Sequence, residues 1–267
     1  LTEQLGAKHP EVRRLRSLLR DRQTRAEERA FVVEGPRAVE ASLDRNADLE
    51  TVYLGYRAGP AFESLVERFR EQGVRVVELK EGVLEKVGTT RTPQPVLAVA
   101  RTPDASLADL DPQGPVVVAV GISDPGNLGT LVRSIEASGG AGIVTCANSV
   151  DAFNPKAVRS SAGAIFAVTV VEADDPVDVL EQLAARGPRV GTAPRDGVPY
   201  ECADLTEPCT LVLGNEAHGL PRRVANHLDR VVTIPMAGGS ESLNVGMAAT
   251  ALLFEAARQR RNPRTAS

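Results

Sequence analysis

Histidine and cysteine are scarce in this chain, with three of each in 267 residues. Cys146, Cys202 and Cys209 are odd in number and match no zinc spacing, which leaves reduced structural thiols. His9, His218 and His227 are too scattered to form a metal set. No stretch approaches the roughly 18 consecutive apolar residues of a membrane span. The charged N-terminal stretch lacks the apolar core of a secretory signal. The expectation is a cytoplasmic protein that needs no metal and no membrane. Two nucleotide signatures are also missing. There is no Gly-x-Gly-x-x-Gly turn and no Gly-Lys-Ser/Thr phosphate loop. A dinucleotide-dependent enzyme on an ordinary doubly wound sheet would want the first of these.

What is present is a globular chain, 42% apolar, long enough for two domains. The net charge of −4 argues against a uniformly basic nucleic-acid coat. Its arginines are unevenly placed, however. Arg13, Arg14, Arg16, Arg20, Arg22, Arg25 and Arg29 crowd the N-terminus, and Arg258, Arg260, Arg261 and Arg264 crowd the tail. Such clusters either bind phosphate or form solvated helix faces.

The patterning alternates. Residues 9–28 read as one helix, with Val12, Leu15, Leu18 and Leu19 at helical spacing. Strands follow at 31–34, 51–54, 74–79 and 96–100, with a helix containing Ala38, Val39, Ala41 and Leu43 after Gly35-Pro36 and another at 62–72 between them. This describes a small α/β domain. Residues 101–115, rich in proline, glycine and acids, read as a linker. The boundaries expected are 1–102 for the first domain, 103–114 for the linker and 115–267 for the second domain. That second domain opens on Val116–Val120, an apolar run fit for a buried parallel strand. Further strands are expected at 141–145, 167–171, 189–192, 210–213 and 231–234. Helices are expected at 130–138, 155–161, 176–186 and 243–258.

Three glycine-rich turns in the second half carry the chemistry. A strand that ends in glycine and hands over to a helix gathers free backbone N–H groups at one point. The first turn is Asp124–Arg133, where Arg133 can grip phosphate bidentately. The second is Gly214-Asn215-Glu216, where Gly214 lets backbone approach a ligand closely. The third is Ile234–Val245, where Ser242 is placed to cap the last helix. Each alone also fits an ordinary turn, cap or surface acid.

Together the three turns resemble the SpoU (TrmH-type) RNA ribose 2′-O-methyltransferases of the SPOUT superfamily. The first matches in Asn127, Arg133, Ala137 and Gly139. The second matches in Leu213–Glu216 and Gly219-Leu220, and the third in Ile234-Pro-Met236 and Ser242–Val245. The N-terminal half is similar to the family's substrate-binding domain in Arg22–Arg25 and Phe31–Val39. The resemblance implies an L30e-like RNA-binding domain followed by an α/β catalytic domain with a mostly parallel sheet and a deep trefoil knot. It implies a homodimer that methylates ribosomal RNA, with 23S rRNA favoured. A role in antibiotic resistance, of the avilamycin or thiostrepton type, is one form of this. Transfer RNA as substrate, or an inactive RNA-binding protein of the same fold, is the alternative. S-adenosylmethionine would contact Thr192, Gly214, Asn215, Ile234, Met236, Ser242 and Leu243. Asn127, Arg133, Glu216 and Asn244 would form the catalytic set, and Arg22, Arg25 and Arg37 would bind RNA.

One expectation about mechanism concerns Arg133, whose counterpart the family assigns to proton removal. Arginine stays protonated in proteins. Arg133 is therefore expected to fix the RNA phosphate and polarise the ribose hydroxyl, with Asn127 orienting it. Glu216 would supply charge complementarity or receive the proton through water.

Overall fold

The computed structural model describes residues 3–88, 93–146, 148–238 and 242–262. In chain order the first elements are β1 (Gln4–Leu5), α1 (Pro10–Arg20), α2 (Arg22–Glu28), β2 (Ala30–Glu34), α3 (Pro36–Asp44) and β3 (Leu49–Leu54). Then come α4 (Glu63–Glu71), β4 (Arg75–Leu79), α5 (Leu84–Val87), β5 (Val96–Arg101), β6 (Val116–Ala119) and α6 (Pro125–Ser138). The rest are β7 (Gly142–Cys146), α7 (Pro155–Ser160), β8 (Val170–Ala173), α8 (Pro176–Gln182), β9 (Arg189–Thr192) and β10 (Val198–Pro199), followed by β11 (Thr210–Leu213), α9 (Arg222–Ala225), β12 (Arg230–Thr233) and α10 (Val245–Arg261).

These elements form two compact units. One holds Leu1–Pro103 and Phe153–Phe166; the other holds Asp104–Ala152 and Ala167–Ser267. The sequence reading cut the chain once, near residue 103. The segment Phe153–Phe166 departs from that division because of what it buries. It leaves the second half of the chain to cover β2.

In the first unit the strand order is β1-β4-β3-β5-β2. β1, β4 and β3 run parallel, while β5 is antiparallel to both β3 and β2. β2 lies at the edge, yet all five of its residues are buried. An open edge strand this apolar would invite pairing with another chain. Phe31 of β2 is instead packed by Phe153 at 4.8 Å and Phe166 at 6.0 Å between ring centroids. Glu34, at the end of β2, is fully buried and ion-paired to Arg159 of α7 at 3.0 Å.

The single helix expected over 9–28 is two. Asp21 adopts an extended conformation and its carboxylate accepts from the N–H groups of Gln23 and Thr24, so it stops α1 and caps α2. An aspartate inside a helical pattern was the available signal. The two-residue strands β1 and β10 went unread because two residues carry no periodicity.

In the second unit the order is β10-β12-β9-β11-β6-β7-β8, and every pairing is parallel. Parallel strands buried on both faces read as continuous apolar runs, as Val116–Ala119 does. Register places Leu213 opposite Ala119, and Val232 opposite Thr192. β12, β9, β11 and β6 therefore end together, and the chain leaves the sheet there in four neighbouring loops. α10 packs along α6, where Gly246 lies against Thr130 and the hydroxyls of Ser134 and Thr250 bond at 2.6 Å. Among the described residues no helix is long and apolar enough to cross a membrane.

Loss of the α7 clamp should weaken the first unit. Arg159→Ala leaves the buried Glu34 carboxylate without this partner. Arg159 itself is 38% exposed, so water screens the pair. The expected loss is on the order of 2 kcal/mol, below that for breaking a fully buried pair. Urea unfolding measures it, and a midpoint unchanged from the native chain would show that Glu34 does not depend on Arg159.

Candidate active site

The segments that follow β9, β11 and β12, together with the start of α10, line a cavity of about 560 Å³, and Asn127 is not among the lining residues. Crevices outside the carboxyl ends of parallel strands are where α/β sheets hold ligands. All seven residues expected to contact a cofactor line it: Thr192, Gly214, Asn215, Ile234, Met236, Ser242 and Leu243. Glu216 and Asn244 line it too, as do Ala193, Pro194, His218 and Ala248, which the sequence reading did not single out. These four adjoin matched positions in the loops and in α10, and nothing in their residue types marked them.

Each loop is shaped by its own side chains. After β6, Asp124 caps α6 by accepting from the Asn127 N–H at 3.0 Å, and Pro125 occupies the first turn. The helix thus opens five residues before the expected start at Thr130. The Asp-Pro pair was a legible start signal. After β11 the chain doubles back at once. Asn215 and Gly219 exchange backbone hydrogen bonds of 3.1 and 2.8 Å. The Asn215 carboxamide accepts from the Ala217 and His218 N–H groups and donates to the Gly121 carbonyl at 2.7 Å.

Gly214 has a reason different from the one expected. A Cβ at this position would come within 2.6 Å of the Gly219 oxygen and the Leu220 nitrogen. The glycine is needed because the loop folds back onto its own backbone. Gly219, with φ of 65°, closes the same turn in the left-handed region.

Before α10 the cap is Asn244, whose Oδ1 accepts from the Gly246 N–H at 2.8 Å. Ser242, expected as the cap, lies two residues too far upstream and lines the cavity instead. Gly239, Ser240 and Glu241 of the same turn lie outside the described residues.

Three of the four expected catalytic side chains form one hydrogen-bonded chain. Asn127 donates from Nδ2 to Glu216 Oε1 at 2.7 Å and accepts at Oδ1 from Asn244 Nδ2 at 2.7 Å. The other carboxylate oxygen of Glu216 accepts from the Ser123 N–H and hydroxyl at 3.4 and 3.2 Å. Both ends of the Asn127 amide are thus engaged, and neither meets Arg133. The expectation that Asn127 orients Arg133 is corrected on that ground.

Burial pushes the Glu216 carboxyl up, but the hydrogen bonds from Asn127 and Ser123 outweigh it and hold the group below the usual glutamate range. That makes Glu216 a fixed negative charge and a poor proton acceptor. Arg133 does not line the cavity. It is exposed on α6 and has no hydrogen-bond or ion-pair partner among the described residues.

The arginines named for RNA divide. Arg22 and Arg37 are exposed. Arg25 is 5% exposed and donates to the Leu18 carbonyl at 2.7 Å, so it joins α1 to α2 and cannot reach a phosphate. In the tail, Arg258 pairs with Glu255 at 2.7 Å and Arg260 donates to the carbonyls that end α6. Arg264 lies outside the described residues. Cys146 and Cys209 are buried, and burial pushes their thiols up to about 12 and 11, which makes them unreactive. Among the described residues no group of three or more His, Cys, Asp or Glu side chains could hold a metal ion.

The pattern of the SpoU rRNA Methylase family matches residues 114–254, and that of the MRM3-like substrate binding domain matches residues 9–98. The chain belongs to the SpoU rRNA methylase family. It is 31% identical to the Bacillus subtilis 23S rRNA (guanosine(2553)-2′-O)-methyltransferase RlmP, over 88% of this chain and 92% of that one. It is 32% identical to a 23S rRNA (uridine(2479)-2′-O)-methyltransferase of Streptomyces viridochromogenes, over 93% and 88% of the two chains. Among solved structures it resembles the AdoMet-bound rRNA methyltransferase of Sinorhizobium meliloti, with a TM-score of 0.84 and 30% identity, covering 97% of this chain and 98% of that one. AviRb of Streptomyces viridochromogenes in complex with AdoMet gives the same score and identity, covering 96% and 100%. AdoMet is S-adenosylmethionine, the cofactor the resemblance implied.

Two expectations follow for the cavity. Gly214→Ala forces the second loop open and should abolish S-adenosylmethionine binding by calorimetry while far-UV circular dichroism stays native. Native affinity would mean that the turn tolerates the methyl group. The second expectation concerns pH. The folded Glu216 carboxyl titrates below its unfolded value, so its contribution to loop order is full above about pH 4.3 and is lost as the pH falls through the folded value. Cofactor affinity should be flat from pH 8 to about 5 in the native chain. A fall between pH 7 and 6 that disappears in Glu216→Gln would contradict a depressed carboxyl.

Proposed function

We propose that this protein uses S-adenosylmethionine to methylate a ribose 2′-hydroxyl in ribosomal RNA, in the cytoplasm and as a homodimer. The observation that carries the reading is the Glu216–Asn127–Asn244 chain at the cavity. It ties the start of α6 to two segments that line a space of ligand size. The cavity fits the cofactor's chemistry, with apolar walls from Ile234, Leu243 and Leu252 and polar groups from Thr192, Asn215 and Ser242. When bound, the cofactor supplies a methyl group already activated on a sulfonium.

The chain's own residues then have to hold the hydroxyl in line, and such orientation is worth roughly 7–11 kcal/mol of barrier. Arg133, permanently charged, grips a phosphate and polarises the hydroxyl. Glu216 contributes fixed negative charge beside the cavity. The Asn127 amide holds Glu216 and Asn244 at their set separation.

The homodimer is supported by an exposed face on the helix pair. Met247 is 60% and Phe254 44% exposed on α10, beside the α6 helix that bears Arg133. A second copy covering that face would shield the two apolar side chains and bring Arg133 near an interface. The knotted path implied by the resemblance belongs to the same reading. Two relatives of similar identity are named for different 23S nucleotides, a guanosine and a uridine. The target nucleotide is therefore a property of each protein, and a drug-resistance role depends on which one this chain modifies.

Methyl transfer from labelled S-adenosylmethionine to separated ribosomal and transfer RNAs tests the reading. Label in 23S rRNA at a ribose supports it; label only in transfer RNA, or none, defeats it. Arg133→Ala should keep cofactor affinity and lower turnover at least a hundredfold, on the order of 3 kcal/mol in the barrier. Retained turnover would remove Arg133 from the mechanism. Phe254→Arg should convert dimer to monomer by light scattering, and an unchanged mass would place the interface elsewhere.

A further inference from the structure

The two ends of the first unit's sheet differ in how their cations are used. At the end where β3 and β4 begin and β5 finishes, the arginines are committed. Arg14 pairs with Glu28 and Glu50, Arg75 with Glu3 and Glu11, and Arg101 with Glu50. At the opposite end, register aligns Glu34 with Leu97, Leu54 with Val96 and Glu78, and Leu79 with Leu5. The residues just beyond this line are Arg37 after β2, Tyr56 and Arg57 after β3, and Lys80 after β4. All four are exposed. Arg37, Arg57 and Lys80 have no ion-pair partner among the described residues.

Tyr56 and Arg57 form a unit at the centre of this rim. The Arg57 guanidinium lies over the Tyr56 ring, 4.9 Å from its centroid. Tyr56 is 40% exposed and is one of two exposed aromatic side chains among the described residues. The backbone is held for this arrangement. Arg57 has φ of 56°, a left-handed conformation that disfavours a side chain. Its N–H donates to Glu78 Oε1 at 2.7 Å, and the other oxygen of Glu78 accepts from Gln4 at 2.8 Å. A non-glycine residue held in this region by a dedicated carboxylate points to a role for its side chain. From β4 to β2 the rim covers three strand spacings, roughly 14 Å, the reach of a short run of nucleotides.

We infer that this rim holds an unpaired stretch of the substrate RNA, with one base stacked on the Tyr56–Arg57 pair and phosphates gripped by Arg37 and Lys80. The inference rests on the reading of this chain as an RNA-modifying enzyme, and it gives that enzyme a place to recognise its target. Aromatic stacking with flanking cations suits single-stranded RNA, whose bases are free to splay. It assigns recognition away from α1 and α2, where the arginines are densest in sequence.

The test uses the full chain and a fluorescently labelled single-stranded RNA of about 12 nucleotides, followed by anisotropy. Tyr56→Ala should weaken binding about tenfold, and Tyr56→Phe should bind as the native chain does. The Arg37→Ala, Lys80→Ala double variant should reduce the slope of log affinity against log salt by roughly 1.4. Tyr56→Ala binding like the native chain would overturn the inference. So would a loss seen only in an Arg13→Ala, Arg20→Ala, Arg22→Ala variant. S-adenosylmethionine titration of the same samples separates the two readings. A native chain that binds the cofactor but not this RNA defeats the rim alone, whereas one that binds no cofactor defeats the proposed function.

Discussion

An asparagine side chain has one donor end and one acceptor end, and the site depends on both being used. Asn127 gives its donor to the carboxylate on the second loop and its acceptor to the amide that precedes the last helix. A single planar group thereby holds two segments that lie 89 and 117 residues further along the chain. The parallel register that ends β12, β9, β11 and β6 together is the precondition. Hydrogen bonding then fixes what strand pairing has brought near.

That division explains how much was legible in the sequence. The apolar runs of the parallel strands and the three glycine turns are local signals, and they located both the sheet and the cavity. The family resemblance supplied the expected cofactor contacts, and all of those residues line the cavity. What could not be read was mutual orientation. The sequence offered Asn127 as a neighbour of Arg133 on one segment, while its hydrogen bonds go to other segments. Arg25 looked like one more basic residue in a cluster, but a turn at Asp21 sends it inward to the Leu18 carbonyl. Charge in a sequence says nothing about which cations already have partners.

The same limit applies to glycine. Gly214 was readable as a position that tolerates no side chain, and it is one. Its reason lies in the chain's own backbone at Gly219 and Leu220. The second loop is closed by its own hydrogen bonds between Asn215 and Gly219 and from the Asn215 carboxamide, none of which involves a ligand. Pre-ordering of this sort reduces the entropic cost of binding.

The excursion of Phe153–Phe166 has a consequence for how such a protein can be divided. The chain passes between its units at residues 103, 152 and 166, not once. A cut at the first crossing leaves Phe31 and Glu34 uncovered on one fragment and strands their aromatic and basic cover on the other. The first unit is therefore not a portable module. It completes its fold only after the whole of the second unit's first stretch, Asp104–Ala152, has been synthesised, and domain shuffling would have to carry that short borrowed piece along with it.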